Sequence, residues 1–358
     1  MPIAPRRWLT APIFSLCLGA VAAFAKADGP TLPSVPQGSF SIVVIPDTQA
    51  YRLTPDPQNP AGEKIVSNRI FDAHTRWIAE NLERQSIAFV SHAGDIVDKN
   101  EDGQWKVAQQ AMNRLHGKVP YGLSVGNHDM TRRGDSTLFQ KYFPAARFAD
   151  FAWYGGAYAP ANDDTQISGN NANSFQLFST HGLDFVFLHL ECNAPDDVLA
   201  WADQVLEKHQ DRLALITTHM CLGPRDRPQS ADDYFDSPKG RMRWSKMHGE
   251  RGNSAEAMWN KCFRKHPNLF MVCCGDQSRT QAWHLISTGD HGNRVHQLLC
   301  DYSTGWLRTY HFHPTERRVE AWTFRPDDET LCQGARYAPN VDRHQFEFEL
   351  PSRFAPLP

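Results

Sequence analysis

Polar motifs follow four short apolar runs of this 358-residue chain, and each motif begins near the point where its run ends. The runs are rich in β-branched residues and bounded by glycine or polar residues, which is typical of buried strands in an α/β sheet. Ligands of such sheets bind outside the carboxyl ends of the strands, so four sets of polar side chains are expected at one edge. The runs are Ser41–Ile45, Ile87–Val90, Tyr121–Val125 and Leu213–Ile216, and the motifs are Pro46–Gln49, Gly94–Asp98, Gly126–Asp129 and Thr217–His219.

Each motif has a plain alternative explanation when it is taken alone. Asp47 after Pro46 is also a common turn residue. Gly94 and Asp95 can form a tight turn, and Asn127 can be a left-handed turn residue. A single histidine such as His219 is more often only hydrogen-bonded. Taken together, however, the motifs supply carboxylate, amide and imidazole groups, which are donors that divalent metal ions take. The joint pattern therefore predicts a metal site at the sheet edge.

The chain resembles the calcineurin-like metallophosphoesterases, which combine Asp-x-His, Gly-Asp-x-x-Asp, Gly-Asn-His-Asp/Glu, a single His and a final Gly-His-x-His. Gly94–Asp98 and Gly126–Asp129 match two of these motifs without change, and His219 supplies the single histidine. Pro46–Gln49 resembles a variant branch of the superfamily that opens with Pro-Asp-Thr-Gln. The resemblance extends from Phe40 to Arg325 and implies an α/β fold, a two-sheet β-sandwich flanked by helices in four layers.

Further strands and helices in the pattern agree with that fold. The additional apolar runs are more numerous than one parallel sheet would use, which favours two sheets. Two apolar stripes at helical spacing predict helices, one behind Pro195 and one behind Ser254 as a candidate N-cap. The additional strands are Phe185–Leu190, Val295–Leu299, Leu307–His311 and Val319–Phe324, and the stripes cover Val198–Leu206 and Ala255–Phe263.

The last family motif is altered in this chain. Aligned on Gly275, its two histidines fall on Asp276 and Ser278, and Gln49 stands at the histidine of the first motif. The resemblance implies one or two divalent ions of manganese, iron, zinc or magnesium, with the preference shifted toward harder cations where a carboxylate replaces an imidazole. One ion would take Asp47, Gln49, Asp95 and Ser278, and the other would take Asp95, Asn127, His219 and Asp276.

The resemblance implies hydrolysis of a phosphate mono- or diester by a metal-activated water, with Asp95 as the bridging ligand. His128 and Asp98 are predicted to be catalytic, because His128 can protonate the leaving group. Asp98 would orient the His128 imidazole and favour its charged form. The alternative is that the two residues only tie two loops together. Arg132 and Arg133 follow closely and are predicted to contact the phosphate, although paired arginines are as often merely solvated.

Two functions of different classes remain open. Gln49, Asp276 and Ser278 favour a weakened or inactive phosphoesterase-fold protein that binds a ligand or partner. The retained carboxylates and histidines favour an enzyme that acts on a small-molecule or lipid phosphoester. A formal net charge of −3 and the lack of a basic run disfavour a nucleic-acid partner.

The chain is predicted to be secreted or periplasmic. Arg6-Arg7 precede an apolar run, Trp8–Phe24, which small residues follow, and this order is typical of a secretory signal peptide. No transmembrane span is expected once the signal is removed. The predicted segments are a signal peptide at 1–27, a linker at 28–39, a metallophosphoesterase domain at 40–326 and a C-terminal extension at 327–358.

Removal of the signal peptide with Cys17 would leave seven of the eight cysteines, an odd number that cannot pair completely. Cys192 and Cys221 both follow predicted strands at the active edge. A single disulfide between them is the expectation for an exported protein.

Overall fold

Strands and helices alternate along most of the chain, as the alternating apolar patterns predict. The computed structural model describes residues 1, 29–161, 165–223 and 247–354, so apart from Met1 the predicted signal peptide lies outside the described residues. The strands are β1 (Phe40–Ile45), β2 (Arg52–Thr54), β3 (Ile65–Ser67), β4 (Ile87–His92), β5 (Tyr121–Leu123), β6 (Tyr154–Ala157), β7 (Ser174–Thr180), β8 (Leu183–Leu190), β9 (Leu213–Thr218), β10 (Leu269–Cys274), β11 (Ala282–Thr288), β12 (Arg294–Cys300), β13 (Leu307–His313), β14 (Arg318–Phe324) and β15 (Gln345–Glu349). The helices are α1 (Arg69–Glu80), α2 (Asp102–Asn113), α3 (Thr137–Tyr142), α4 (Asp196–Lys208) and α5 (Ala255–Lys261).

Two large sheets form within the described residues. The first has the order β15-β14-β13-β1-β4-β5, in which β1, β4 and β5 run parallel and β13 to β15 run antiparallel. The second has the order β11-β12-β10-β9-β8-β7-β6, in which β8, β9, β10 and β12 run parallel. The parallel strands are neighbours within each sheet, so their carboxyl ends can deliver side chains to a shared edge.

The two sheets pack face to face through aromatic side chains. Phe40 of β1 contacts Phe185 of β8 edge to face, with ring centroids 5.8 Å apart. Phe89 of β4 contacts Phe187 of β8 at 4.9 Å. A polar link crosses the same interface, where Ser91 Oγ lies 2.9 Å from His189 Nε2. The prediction of a two-sheet β-sandwich is therefore confirmed.

Helices cover the outer faces of the sandwich through their buried apolar stripes. In α1, the Asn68 side chain caps the helix by accepting a hydrogen bond from the Phe71 N–H at 3.0 Å, and Phe71 and Ile78 are fully buried. Helix α5 begins as predicted, because Ser254 Oγ accepts from the Ala257 N–H at 3.0 Å. The flanking helices of the predicted fold are thus present.

Residues on both sides of the predicted domain also pack on the sandwich. Leu32, in the predicted linker, is buried, and its N–H donates to the Glu329 carbonyl at 2.9 Å. Strand β15 lies in the predicted C-terminal extension and pairs with β14, with Phe348 buried. None of the helices in the described residues has the length and apolar character that crossing a lipid bilayer requires.

The expected disulfide between Cys192 and Cys221 is wrong. Both thiols are buried and unoxidised. The Cys192 thiol approaches Asn193 Oδ1 at 3.4 Å, whereas the Cys221 thiol approaches Gln297 Oε1 at 3.4 Å. The two side chains therefore face different hydrogen-bond acceptors, although both follow strand ends.

The aromatic contact between the sheets predicts how much stability is lost when one of its phenyl rings is removed. Phe89 is fully buried against Phe178 and Phe187, so Phe89→Ala should lower the free energy of unfolding by about 3–5 kcal/mol in urea titrations. Leu53 is 67% exposed, and Leu53→Ala should change the same quantity by less than about 0.5 kcal/mol. Similar losses in both variants would contradict the described packing.

Candidate metal centre

Five strand ends from both sheets meet at one edge of the sandwich. Asp47 follows β1, Asp95 follows β4 and His219 follows β9, and one ligand atom from each lies within 4.8 Å of the others. Asn127 follows β5 and Asp276 follows β10, and both are buried. The convergence predicted from the four motifs is therefore present in the geometry, and Asp276 joins it.

Asp95 lies at the centre of this group. Its Oδ1 accepts a hydrogen bond from the His128 N–H at 2.9 Å and lies 3.2 Å from His219 Nε2. Its Oδ2 accepts from Gln49 Nε2 at 2.8 Å. Gly126 leaves room for this approach, because a Cβ there would lie 2.2 Å from Asp95 Oδ1. Asp95 also has a positive φ of 47°, a strained conformation of the kind that clusters at functional sites.

His219 presents one ring nitrogen to the acidic group. Its Nδ1–H donates to the Ala93 carbonyl at 2.9 Å, which leaves Nε2 facing Asp95 at 3.2 Å and Asp276 Oδ1 at 3.7 Å. Histidines that bind metals commonly fix their orientation in this way with the second nitrogen. Burial lowers the pKa of His219, but Asp95 and Asp47 outweigh it and raise the pKa well above the usual value. A proton or a cation is therefore favoured at Nε2.

The buried donors fit a divalent cation. Asp47 Oδ1, Asn127 Oδ1 and His219 Nε2 are buried without a hydrogen-bond partner in the described structure. His219 Nε2 lies 3.2 Å from Asp95 Oδ1, at ion-pair distance. Each buried polar atom left unpaired costs about 1–3 kcal/mol. A cation would satisfy all three, and the mixed oxygen and nitrogen donors suit Mn²⁺, Fe²⁺ or Zn²⁺. The residues that could hold it are Asp47, Asp95, Asn127, His219 and Asp276.

The altered positions take different parts in this geometry. Asp276 donates its N–H to Asp47 Oδ2 at 3.2 Å, and its own Oδ2 accepts from Gln277 Nε2 at 2.7 Å. Gln49 turns its amide nitrogen toward Asp95, so it now offers a donor where a ligand oxygen was predicted. Ser278 and Gln49 line the same cleft, next to Asp47. The metal roles of these three residues stay predictions.

His128 has a different orienting partner from the predicted one. Its Nδ1 lies 2.6 Å from the backbone carbonyl of Asp98, rather than being held by the Asp98 carboxylate. The expectation that the carboxylate orients the imidazole is therefore corrected, because the turn after Asp95 aims the main chain at the ring. His128 and Asp98 are both half-buried, and the catalytic role of the pair stays a prediction.

Arg132 and Arg133 lie exposed in the loop before α3. The hydrogen bond described for them is between the Arg133 N–H and Thr131 Oγ1 at 3.4 Å. Their contact with phosphate stays a prediction.

Asp129 was not assigned a role from the sequence, although it ends the third motif. Its carboxylate accepts from the N–H groups of Gly126 at 2.7 Å, Val97 at 3.0 Å and Ile96 at 3.1 Å. Burial raises its pKa to about 7, against the opposing effect of these hydrogen bonds. Asp129 therefore clamps the loops that carry Asp95 and Asn127.

Asp301 is a further carboxylate that the sequence pattern had not placed at the site. It follows β12 and is 3% exposed, and burial raises its pKa to about 7. Its side chain interacts with that of Asp47. The signal was available, because Asp301 lies two residues beyond Val295–Leu299, which is predicted to be a strand.

One protein family and several known proteins are similar to this chain. Residues 40–246 match the model of the calcineurin-like phosphoesterase family. The uncharacterized protein YvnB of Bacillus subtilis (strain 168) is 31% identical over 270 residues, which cover 72% of this chain and 18% of that protein. The chain thus spans less than a fifth of that relative's length.

Two solved structures of nucleotidases are similar at low identity. The first is the 5'-nucleotidase precursor of Thermus thermophilus, with 10% identity, a TM-score of 0.44 and coverage of 89% of this chain and 56% of that one. The second is the NAD nucleotidase of Haemophilus influenzae, with 14% identity, a TM-score of 0.44 and coverage of 82% and 48%. On the family match, which takes in more than half of its residues, the chain belongs to the calcineurin-like phosphoesterases.

Proposed function

We propose that this protein is a metal-dependent phosphoesterase that hydrolyses a phosphate mono- or diester. The observation that carries the proposal is the set of three unpaired, buried donor atoms, Asp47 Oδ1, Asn127 Oδ1 and His219 Nε2, around the Asp95 carboxylate. A protein that used this edge only for structure would have little reason to leave them unsatisfied.

The metal centre would be held by Asp95, Asn127 and His219, with Asp47 and Asp276 beside them. A divalent ion bound there supplies a water of lowered pKa and a positive charge for the phosphate oxygens. The Asp95 carboxylate can contact ions on two sides, because its oxygens face different neighbours. Oδ1 faces His219 and Oδ2 faces Gln49.

His128 is suited to transfer a proton to the leaving group. Its backbone N–H donates to Asp95 Oδ1, and its ring donates Nδ1–H to the Asp98 carbonyl. These two bonds fix the ring and leave Nε2 to exchange a proton at the oxygen that departs with the alcohol. The half-exposed position of the ring is compatible with contact to a substrate.

The proposal extends to the substrate and the compartment. A small-molecule or lipid phosphoester is proposed as the substrate, with Arg132 and Arg133 free in the solvent-exposed loop to meet its phosphate. Export to the periplasm or beyond is supported by the charge and hydropathy of residues 1–27.

A second candidate is a phosphoesterase-fold protein that binds a ligand without hydrolysing it. The specific observation in its favour is the Gln49 amide, which donates to the Asp95 carboxylate and so occupies one of the oxygens that a second ion would use. Metal content and activity separate the two functions.

Metal content tests the centre directly. Asp95→Asn with His219→Ala should reduce bound transition metal, measured by elemental analysis after gel filtration, to background, because the central carboxylate and the imidazole are both lost. His266→Ala is the matched control, since His266 is a buried histidine in the separate group Asp203, Cys262 and His266. Stoichiometric metal in the double variant, or its loss in the control, would place the ion elsewhere.

Turnover tests His128. His128→Ala should lower kcat for an alkyl phosphate by about 10²- to 10⁴-fold with metal content unchanged, because a proton donor is lost. An activated aryl phosphate, whose leaving group needs little protonation, should be affected less. Asp98→Asn should have a small effect, since the carbonyl that holds His128 remains.

Equal residual hydrolysis in the wild type and His128→Ala, on both substrates, would show that the activity is adventitious. The binding-protein function would then be favoured. A large loss in Asp98→Asn would instead show that the Asp98 carboxylate acts on the substrate or the ring in the loaded protein.

A further inference from the structure

A buried carboxylate and a buried imidazole form a pair that the proposed reaction does not use. Glu191 directly follows β8, and His248 precedes a short helical turn at Gly249–Arg251. Glu191 Oε2 and His248 Nε2 are 3.3 Å apart, and both side chains are 0% exposed. Within the described residues, Glu191 Oε2 and both ring nitrogens of His248 have no hydrogen-bond partner. Buried pairs of this kind add little net stability, so a role beyond stability is favoured.

The main chain of Glu191 is tied to strand ends of the metal centre. Its carbonyl accepts a hydrogen bond at 3.2 Å from Thr218 Oγ1, next to His219. The N–H of the following residue, Cys192, donates to the Val125 carbonyl at 2.8 Å. The pair therefore begins at the edge that carries the candidate metal ligands.

Asn173 holds the Glu191 side chain in one direction. Asn173 Oδ1 accepts from the Glu191 N–H at 2.8 Å, and Asn173 Nδ2 donates to Glu191 Oε1 at 2.9 Å. Asn173 is itself fully buried, and its Nδ2 also donates to the Ser168 carbonyl at 2.9 Å. These contacts fix one carboxylate oxygen and leave Oε2 to face His248.

His248 contacts the loop that follows Asn127 at a single glycine. A Cβ at Gly134 would lie 2.0 Å from His248 Nδ1, so the imidazole occupies the space that a side chain would need. Gly134 is buried and has a φ of 82°. His248 has a φ of 61°, which is uncommon for a residue other than glycine and is a form of strain found at functional sites.

Gly134 ends a tight turn that carries two arginines. Its N–H donates to the Thr131 carbonyl at 2.9 Å, and the Thr131 N–H donates to the Asp135 carbonyl at 2.9 Å. Arg132 and Arg133 occupy the two central positions of this turn and are exposed. Because these hydrogen bonds join the turn into one unit, a displacement of Gly134 would move both guanidinium groups.

We propose that Glu191 and His248 are positioning residues for the turn that ends at Gly134. By packing on that glycine, they fix where Arg132 and Arg133 lie relative to the metal centre. A turn that is already fixed loses less conformational freedom when it binds an anion, so its affinity for phosphate is higher. The inference rests on the contact of these arginines with phosphate in the proposed function, and it does not require hydrolysis.

The test is the binding of inorganic phosphate to the full-length, Mn²⁺-loaded protein by isothermal titration calorimetry. His248→Ala should weaken phosphate binding by about tenfold, the size expected when a charge-assisted hydrogen bond is misaligned, and should leave metal content unchanged. His311→Ala is the matched control, because His311 of β13 is 1% exposed and both of its ring nitrogens are also unpartnered in the described structure. It should bind phosphate as the wild type does.

A mutant cycle separates positioning from a general structural role. Arg132→Ala combined with Arg133→Ala should weaken phosphate binding at least as much as His248→Ala does. Adding His248→Ala to that double variant should cause little further loss, because the groups that it positions are already absent. With an aryl phosphate as substrate, His248→Ala should raise KM and leave kcat nearly unchanged.

Two further variants change the contact with less disturbance. Glu191→Gln can keep the hydrogen bonds with Asn173 and should weaken phosphate binding less than His248→Ala. Gly134→Ala leaves the pair intact but places a Cβ against the imidazole, so it should displace the turn and weaken phosphate binding too. Amide hydrogen exchange in residues 131–134 should be faster in His248→Ala than in the wild type.

Three results would each overturn the proposal. They are unchanged phosphate binding in His248→Ala, unchanged hydrogen exchange in the turn, and a loss of affinity that persists in full when both arginines are absent. Phosphate binding that responds as expected, in a protein that hydrolyses no phosphoester, would contradict only the proposed function.

Discussion

The Asp95 carboxylate links the two sheets of the sandwich at the edge that carries the candidate metal centre. One of its oxygens faces His219 from the second sheet, and both accept hydrogen bonds from residues that follow strands of the first. Asp129 keeps this arrangement by binding the N–H groups of both adjacent loops. The position of every proposed ligand therefore depends on how the sheets are packed, and the aromatic contacts of Phe89 and Phe185 fix that packing.

Burial of so many carboxylates at one edge works against stability and favours function. A charge removed from water costs several kcal/mol unless it is paired, and His219 is the imidazole that faces Asp95 and Asp276. A bound cation would offset this cost, and ion binding would then be coupled to folding at the site.

Local patterns in the sequence were sufficient for the strands that precede Asp47, Asp95, Asn127 and His219, for the N-cap of α5 and for the convergence of polar side chains at the strand ends. Asp95, Asn127 and His219 were identifiable because each lies close to the end of an apolar run, and the chain direction of a parallel strand fixes the edge.

The hydrogen-bond partner of His128 was not identifiable, because the choice between the carboxylate and the carbonyl of Asp98 depends on a turn conformation. The prediction of a disulfide was wrong for a similar reason, since neighbouring groups set the directions of the Cys192 and Cys221 side chains. Asp301 shared the general signal, but its proximity to Asp47 is a consequence of the pairing between β10 and β12.

The pairing of β1 with β13 has a consequence for the order of events during synthesis. Phe40 pairs with Phe312, and Leu32 bonds to Glu329, so the first strand obtains one of its neighbours only after most of the chain has been made. Contacts of such long sequence separation are slow to form, because a large loop must close first. Asp47 and Asp301 are brought together by this late closure. The emerging chain would thus carry these carboxylates apart from one another until the last third of the protein has folded.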